Sequence, residues 1–239
     1  MADDYARSRP TYPAELYAWL AAVTPRHDLA WDCGCGSGQA TAGLLTGFRQ
    51  VIATDASAAQ IANAPAIPGV EWRVARAEES GLDSQSVDAV IIAQALHWFD
   101  IEAFWAEVNR VVRPGGVVMA WSYAYQQTGD AVLDALLREF TTVTLGDHWP
   151  PERRHVDAGY STIAFPFEPL VPPAAAMTAV WDVGRELGYL RSWSATRRAR
   201  EVLGTDPVGA IEEPLRQAWG SGEREVQWPL TILAGVVGR

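Results

Sequence analysis

The chain has 239 residues, 49% hydrophobic and 20% charged, with a formal net charge of −10, enough for one well-buried α/β domain with elaborations or for two small domains. The negative balance argues against nucleic acid as a partner, because phosphate binding needs a basic surface, and no apolar run approaches the roughly 18 residues of a membrane span. All 19 basic residues are Arg and none is Lys, which excludes Schiff-base chemistry, a phosphate-loop lysine and a Tyr/Lys dehydrogenase pair.

The start, "MADDYARSRP", is polar and acidic and lacks the basic and apolar blocks of a signal peptide, so a cytoplasmic location is expected. Residues 13 to 23 read as an amphipathic helix, with Thr11 as its N-cap and Pro13 in its first turn. From residue 29 short apolar runs alternate with helical patterns. "LAWD" (29–32), "QVIATD" (50–55), "VEWRVAR" (70–76), "VDAVIIAQ" (87–94) and "GVVMAWSYA" (116–124) read as strands, and 39–48, 57–64 and 100–112 as helices. The continuous apolar run at 87–94 marks a strand covered on both faces. Such alternation implies right-handed crossovers and an open, mostly parallel sheet with helices on both faces, here expected to have seven strands with the last antiparallel.

Beyond residue 124 the rhythm breaks. Helical patterns at 130–140, 182–192, 195–203 and 207–218 flank a Pro-rich irregular stretch from Trp149 to Pro173. The expected organisation is an N-terminal helical lid (1–28), a ligand-binding core (29–124), helical cap insertions (125–222) with a strand near 161–168, and a C-terminal strand (223–239) returning to the sheet.

The chemistry concentrates in "WDCGCGSGQAT", residues 31 to 41. In an open parallel sheet, ligands sit at the carboxyl ends of strands where the strand order reverses, so this turn is a binding site on topology alone. Gly34, Gly36 and Gly38 give G-x-G-x-G, whereas the dinucleotide fingerprint needs a third glycine where Gln39 or Thr41 stands. Carboxylates at Asp32, at Asp55 (23 residues on, ending the second strand) and at Glu78 would repel pyrophosphate and welcome a cation. A carboxylate at Asp55 can accept both hydroxyls of a ribose. Cys33 and Cys35 are too close for an easy disulfide and lack metal-ligand spacing; they read as small residues packed around the turn, and no metal is expected.

With "ATDAS", "AEES", "VDAVIIAQALHW" and "RPGG" in order behind that turn, residues 29 to 123 resemble the class I S-adenosylmethionine-dependent methyltransferases. The resemblance implies S-adenosylmethionine as cofactor, with Gly34, Cys35, Gly36 and Gly38 cradling its methionine part. Asp32 orders the amino group, Asp55 takes the ribose hydroxyls, Ala77 and Glu78 the adenine, and the Gln94 backbone the amine. Ser57 and Gln60 behind Asp55, and Tyr12 from the lid, complete the cofactor set. Glycine is expected in the turn because the thioether chain would lie on bare main chain, where a Cβ would collide.

"YARSRPTYPAEL", "ALHWFD" and "ELGYLRSWSA" resemble the small-molecule subgroup typified by trans-aconitate methyltransferases, which implies a small-molecule acceptor, most simply a carboxylate methylated on oxygen. A phenol, amine or carbon acceptor stays open and would need a base. His97 is the candidate: general base, acceptor-orienting donor, or a hydrogen-bonded histidine shaping the pocket floor. Trp98 reads as a pocket wall or a core clamp. Five arginines between 185 and 200 against one acid, Glu186, suggest a carboxylate clamp through Arg185 and Arg191, with Tyr189 on the same side as Arg185. Trp121 and Trp193 supply aromatic walls, and Tyr5 and Arg9 a lid over the cofactor. Expected partners are a small acceptor only, with the chain a monomer or homodimer. The rival readings are a nucleotide-dependent oxidoreductase and a non-catalytic cofactor-binding module.

Overall fold

The structure, a computed structural model, describes residues 10–238, so Tyr5 and Arg9 lie outside the described residues. Its strands are β1 (Leu29–Cys33), β2 (Gln50–Asp55), β3 (Val70–Val74), β4 (Val87–Ala93), β5 (Val112–Ser122), β6 (Glu168–Pro169), β7 (Ala176–Trp181), β8 (Arg224–Pro229) and β9 (Thr231–Val236). The α-helices are α1 (Ala14–Val23), α2 (Thr41–Leu44), α3 (Ala58–Ala62), α4 (Ile101–Val111), α5 (Ala131–Glu139), α6 (Arg153–Asp157), α7 (Val183–Ser192), α8 (Ser194–Leu203) and α9 (Gly209–Trp219). Two compact units result. One holds Tyr12–Tyr123, His155–Ala175 and the chain from Leu230; the other holds Ala124–Arg154 and Ala176–Pro229.

The first unit is a seven-stranded sheet in the order β3-β2-β1-β4-β5-β9-β6. β1 to β5 are parallel neighbours, and β9 runs antiparallel to β5 with Val117 opposite Val236. The strand order reverses between β1 and β4, which opens a crevice at their carboxyl ends. The apolar run of β4 is buried from Val87 to Ile92, as a strand covered on both faces must be. α4 follows because Asp100 caps it, its carboxylate accepting from the Ala103 N–H at 3.2 Å, while Phe104, Trp105, Val108 and Val111 face inward.

Several boundaries differ from the sequence reading. Pro13, not Thr11, occupies the cap position of α1, and no side chain caps it. The expected helices at 39–48 and 57–64 shrink to α2 and α3, since each is limited by the glycine turn or by the Asn63 end. The single C-terminal strand is two: Pro229 ends β8, the Leu230 N–H turns to the Ala175 carbonyl, and β9 begins in the other sheet. β7, in a stretch with no assigned element, pairs with β8 as a separate two-stranded ribbon, and the strand expected near 161–168 is only the Glu168–Pro169 pairing on β9. Among the described residues no helix is long and apolar enough to cross a membrane.

Asp88, at the start of β4 and 1% exposed, ties the amino ends of three strands together. Its carboxylate accepts from the Asp28 and Leu29 N–H groups at 2.8 and 3.0 Å and pairs with Arg113 on β5. Asp88→Ala orphans all three donors. The expected loss is about 3 kcal/mol in chemical denaturation, with cofactor affinity unchanged because this end of the sheet is opposite the crevice.

Candidate active site

The carboxyl ends of β1 and β2 build the site from backbone. The Gly34 and Cys35 N–H groups both donate to the Thr54 carbonyl, at 2.8 and 3.0 Å. The Gly36 N–H donates to Asp55 Oδ2 at 2.9 Å, and the Ser57 N–H to Asp55 Oδ1 at 2.8 Å. Gly34, Gly36 and Gly38 have φ of +71°, +56° and +94°, the left-handed region that side chains disfavour. At Gly34 and Gly38 the reason differs from the expected one. A Cβ on Gly34 would lie 2.6 Å from Ala95 Cβ, and one on Gly38 would lie 2.3 Å from the Trp72 ring, so protein packing already forbids both. Only at Gly36 would the Cβ meet open space.

Asp32 is fully buried one turn below. Oδ2 accepts from the Thr41 hydroxyl at 2.6 Å, and Oδ1 has no partner. Burial, with the charge of Asp55 adding and the Thr41 bond subtracting, pushes its carboxyl up to about 7. That leaves a buried carboxylate oxygen without a donor just below a bare backbone turn.

A cavity of about 470 Å³ opens in front of these elements, lined by Gly34, Asp55, Ala77, Glu78, Gln94 and Trp98 from the expected set. Ala56, Ala75, Arg76, Ala95 and Phe99 also line it and were missed; each lies within two positions of a residue that was named. Glu78 Oε1 accepts from the Asp100 N–H and Oε2 pairs with Arg76. Burial raises its carboxyl, but those bonds outweigh burial and leave it below the ordinary value. Gln94 is left-handed, φ +57°. Its side chain accepts from the Tyr123 N–H at 2.9 Å and donates to the Tyr123 carbonyl at 3.0 Å, which holds the turn against the end of β5.

The remaining expected residues fall elsewhere. Ser57 caps α3, accepting from the Gln60 N–H, and Cys35 is buried. His97 is half-buried in a turn, its Nδ1 at 3.2 Å from the Tyr160 phenol. Trp98 is 57% exposed at the cavity. Trp121 is a core residue and not a wall: it is fully buried, with Tyr12 and Tyr17 edge-on at 5.2 and 6.4 Å. In the second unit, Arg191 is no carboxylate clamp, because its guanidinium already binds Asp206 at 2.8 Å and Glu212 at 2.6 Å. Arg185 lies over the Trp181 ring at 5.8 Å. Tyr189 is buried between Trp181, Trp193 and Trp228, with centroids 5.1 to 5.6 Å away. Trp193 stacks on Phe140 and Trp149. Glu186, counted before only as an acid among arginines, is fully buried; desolvation pushes its carboxyl up to about 8, against a hydrogen bond from Gln126. Among the described residues no cluster of three or more His, Cys, Asp or Glu could hold a metal ion.

Comparison with known proteins agrees with this geometry. Residues 31–120 match a methyltransferase domain family. A protein named as a methyltransferase in Dictyostelium discoideum is 34% identical over 218 residues, covering 90% of this chain and 83% of that one. A solved structure named as a type II methyltransferase, from Anaeromyxobacter dehalogenans, is 44% identical with a TM-score of 0.90, covering 97% and 99% of the two chains. A malonyl-[acyl-carrier protein] O-methyltransferase of Dechloromonas aromatica is 31% identical over 169 residues, 64% of this chain and 58% of its own length. The chain belongs to the class I S-adenosylmethionine-dependent methyltransferases, and S-adenosylmethionine is its cofactor.

The glycines separate packing from ligand space. Gly34→Ala is expected to cost about 2–4 kcal/mol of stability, from overpacking on Ala95 and left-handed strain together. Gly36→Ala should cost only about 1 kcal/mol yet weaken S-adenosylmethionine binding more than tenfold, read by thermal melting and calorimetry.

Proposed function

We propose that this enzyme methylates a carboxylate oxygen of a small molecule. One observation carries the reading: among the described residues, the ionisable groups lining the cavity, Asp55, Arg76 and Glu78, include none suited to take a proton from an acceptor, and the His97 imidazole in the turn beside it meets the Tyr160 phenol through Nδ1. Both Asp55 oxygens hold backbone N–H groups, and Glu78 is hydrogen-bonded and held low. A phenol or ammonium acceptor needs a base; a carboxylate arrives already nucleophilic. The relative named as a malonyl-[acyl-carrier protein] O-methyltransferase supports the same direction.

In this reading Asp55 holds the ribose hydroxyls, the Ala77 and Glu78 segment faces the adenine, and Asp32 with the Gln94 backbone holds the methionine ammonium. The reading also assigns Ser57, Gln60 and Tyr12 to the surroundings of that seat. The bound sulfonium supplies a methyl carbon on a thioether leaving group. A carboxylate oxygen forms the new C–O bond while the C–S pair returns to sulphur, so opposite charges cancel. Water stabilises separated charges more than their neutral products, so a dry, aligned site speeds this transfer. The protein's part is alignment and exclusion of water.

Asp32 gives a pH signature. A ligand ammonium favours the ionised carboxylate, so below about pH 7 binding must expel a proton, and affinity should rise with pH and level off above about 7. Stability of the empty protein runs the other way. The folded value lies above the ordinary one of about 3.9, so the protonated carboxyl stabilises the fold at low pH, and that contribution is lost as pH rises through about 7. Asp32→Asn should flatten both curves in calorimetry and melting.

Transfer of labelled methyl from S-adenosylmethionine, screened over small carboxylic acids, phenols and amines, is expected to give base-labile methyl esters. Product confined to phenols or amines would sink the carboxylate reading.

A further inference from the structure

His97 sits in the short turn Leu96–Trp98 just after β4. Its neighbours Ala95, Trp98 and Phe99 line the cofactor cavity. Its imidazole Nδ1 contacts the phenol of Tyr160, a residue that no sequence motif singled out, at 3.2 Å. Tyr160 is fully buried and left-handed, φ +58°, a conformation that a bulky side chain adopts only where surroundings enforce it. Local bonds do so: the Tyr160 N–H reaches the His155 carbonyl at 2.7 Å, and the Ile163 N–H reaches the Tyr160 carbonyl at 2.9 Å. The loop is built to present one hydroxyl to His97.

The direction of that contact follows from counting protons. A phenol has one hydrogen to give and two lone pairs to fill. Tyr160 is fully buried, so that hydrogen has to be placed on an acceptor of the protein. The phenol's own hydrogen has two candidate acceptors, Ser122 Oγ and His97 Nδ1. The Ser122 hydroxyl lies close enough to influence the phenol but outside hydrogen-bond geometry, since its buried oxygen has no partner. The hydrogen goes to Nδ1.

We infer that Tyr160 is a positioning residue that locks His97 in the tautomer with its proton on Nε2, making His97 a hydrogen-bond donor to the methyl acceptor instead of its base. An imidazole whose Nδ1 is filled by a donor presents N–H at the other nitrogen. Such a group orients a carboxylate through one oxygen and leaves the other to react. The acceptor half of this inference rests on the proposed carboxylate reading; the tautomer half stands by itself.

Two measurements test it separately. The first needs no acceptor: long-range proton–nitrogen NMR spectra of the full chain with S-adenosylhomocysteine, in mildly alkaline buffer, with His97→Gln assigning the signal among the four histidines. The expected pattern is a protonated Nε2 and an unprotonated Nδ1, giving way to a mixture in Tyr160→Phe, which keeps the ring and the fold. Protonated Nδ1 in the native chain, or a pattern that Tyr160→Phe leaves unchanged, overturns the inference. The second uses the acid found by the screen. His97→Gln places an amide N–H near Nε2 and should stay within about tenfold of wild type, while loss of a true base costs about 10²–10⁴. Tyr160→Phe should raise KM for the acid with kcat and S-adenosylmethionine affinity nearly unchanged. A His97→Gln loss in the range of a missing base overturns the donor role, and if only phenols or amines react, the carboxylate reading fails whatever the tautomer.

Discussion

Three consecutive N–H groups, of Gly34, Cys35 and Gly36, hang from the end of β2, two on the Thr54 carbonyl and one on the Asp55 carboxylate. β1 and β2 run in register up to Cys33 opposite Thr54, so the chain leaving β1 can reach those acceptors only by turning back through left-handed conformations. Glycine is the consequence. Asp55 thereby has two tasks, holding the turn and facing the cavity, and Asp32 lies close enough for the two charges to raise the Asp32 carboxyl. Two acids this near, one of them with an orphaned oxygen, are a poor arrangement for an empty protein. They become a favourable one when a cation sits between backbone and carboxylate.

The second unit is built from different materials. Its β7–β8 ribbon buries Trp181 and Trp228 edge to face at 4.9 Å, and Tyr189 and Trp193 extend the stack. Two of the arginines that make the segment look like an anion clamp, Arg191 and Arg200, spend their charge internally. Arg191 and Arg200 share Asp206, and Arg191 and Arg216 share Glu212. The acids that complete this network lie 4 to 21 residues from their arginines. A local count of five cations against one acid therefore overstated the field. What the count could not show is that its single acid, Glu186, is fully buried beside Gln126.

Where residues fix backbone, the fold was legible. The continuous apolar run of β4, the Asp100 cap and the glycine spacing each encode a local conformation, and the sheet with its crevice follows from their order. The C-terminal run "REVQWPLTILAGVVGR" reads as one strand because both halves alternate apolar residues; only the missing N–H of Pro229 marks the break, and which sheet each half joins is decided by β5 and β7 far away in sequence. The site divides the same way. Gly34, Asp55, Ala77, Glu78 and Gln94 sit at strand ends and were found together in one cavity. Tyr160 was invisible, since its value lies in a left-handed loop returning to His97 from 63 residues on.

That distant contact bears on how the transfer can be controlled. A reaction that cancels a positive sulphur against a negative oxygen needs no proton moved, so a base at the acceptor would gain nothing, and a charged imidazolium would compete with the sulfonium for the carboxylate. A neutral imidazole offering a single N–H avoids both faults. It attracts one oxygen by a bond worth about 1–2 kcal/mol and leaves the other oriented and poorly solvated. Holding imidazole neutral and pointed requires a donor on its far nitrogen that does not itself ionise. Tyr160 meets that need: burial raises its phenol well above the ordinary value, against the lowering influence of Ser122 and the turn amides. In the proposed reading, a tyrosine that stays protonated keeps its hydrogen on Nδ1, and the geometry of the acceptor site is set by a residue that never touches the acceptor.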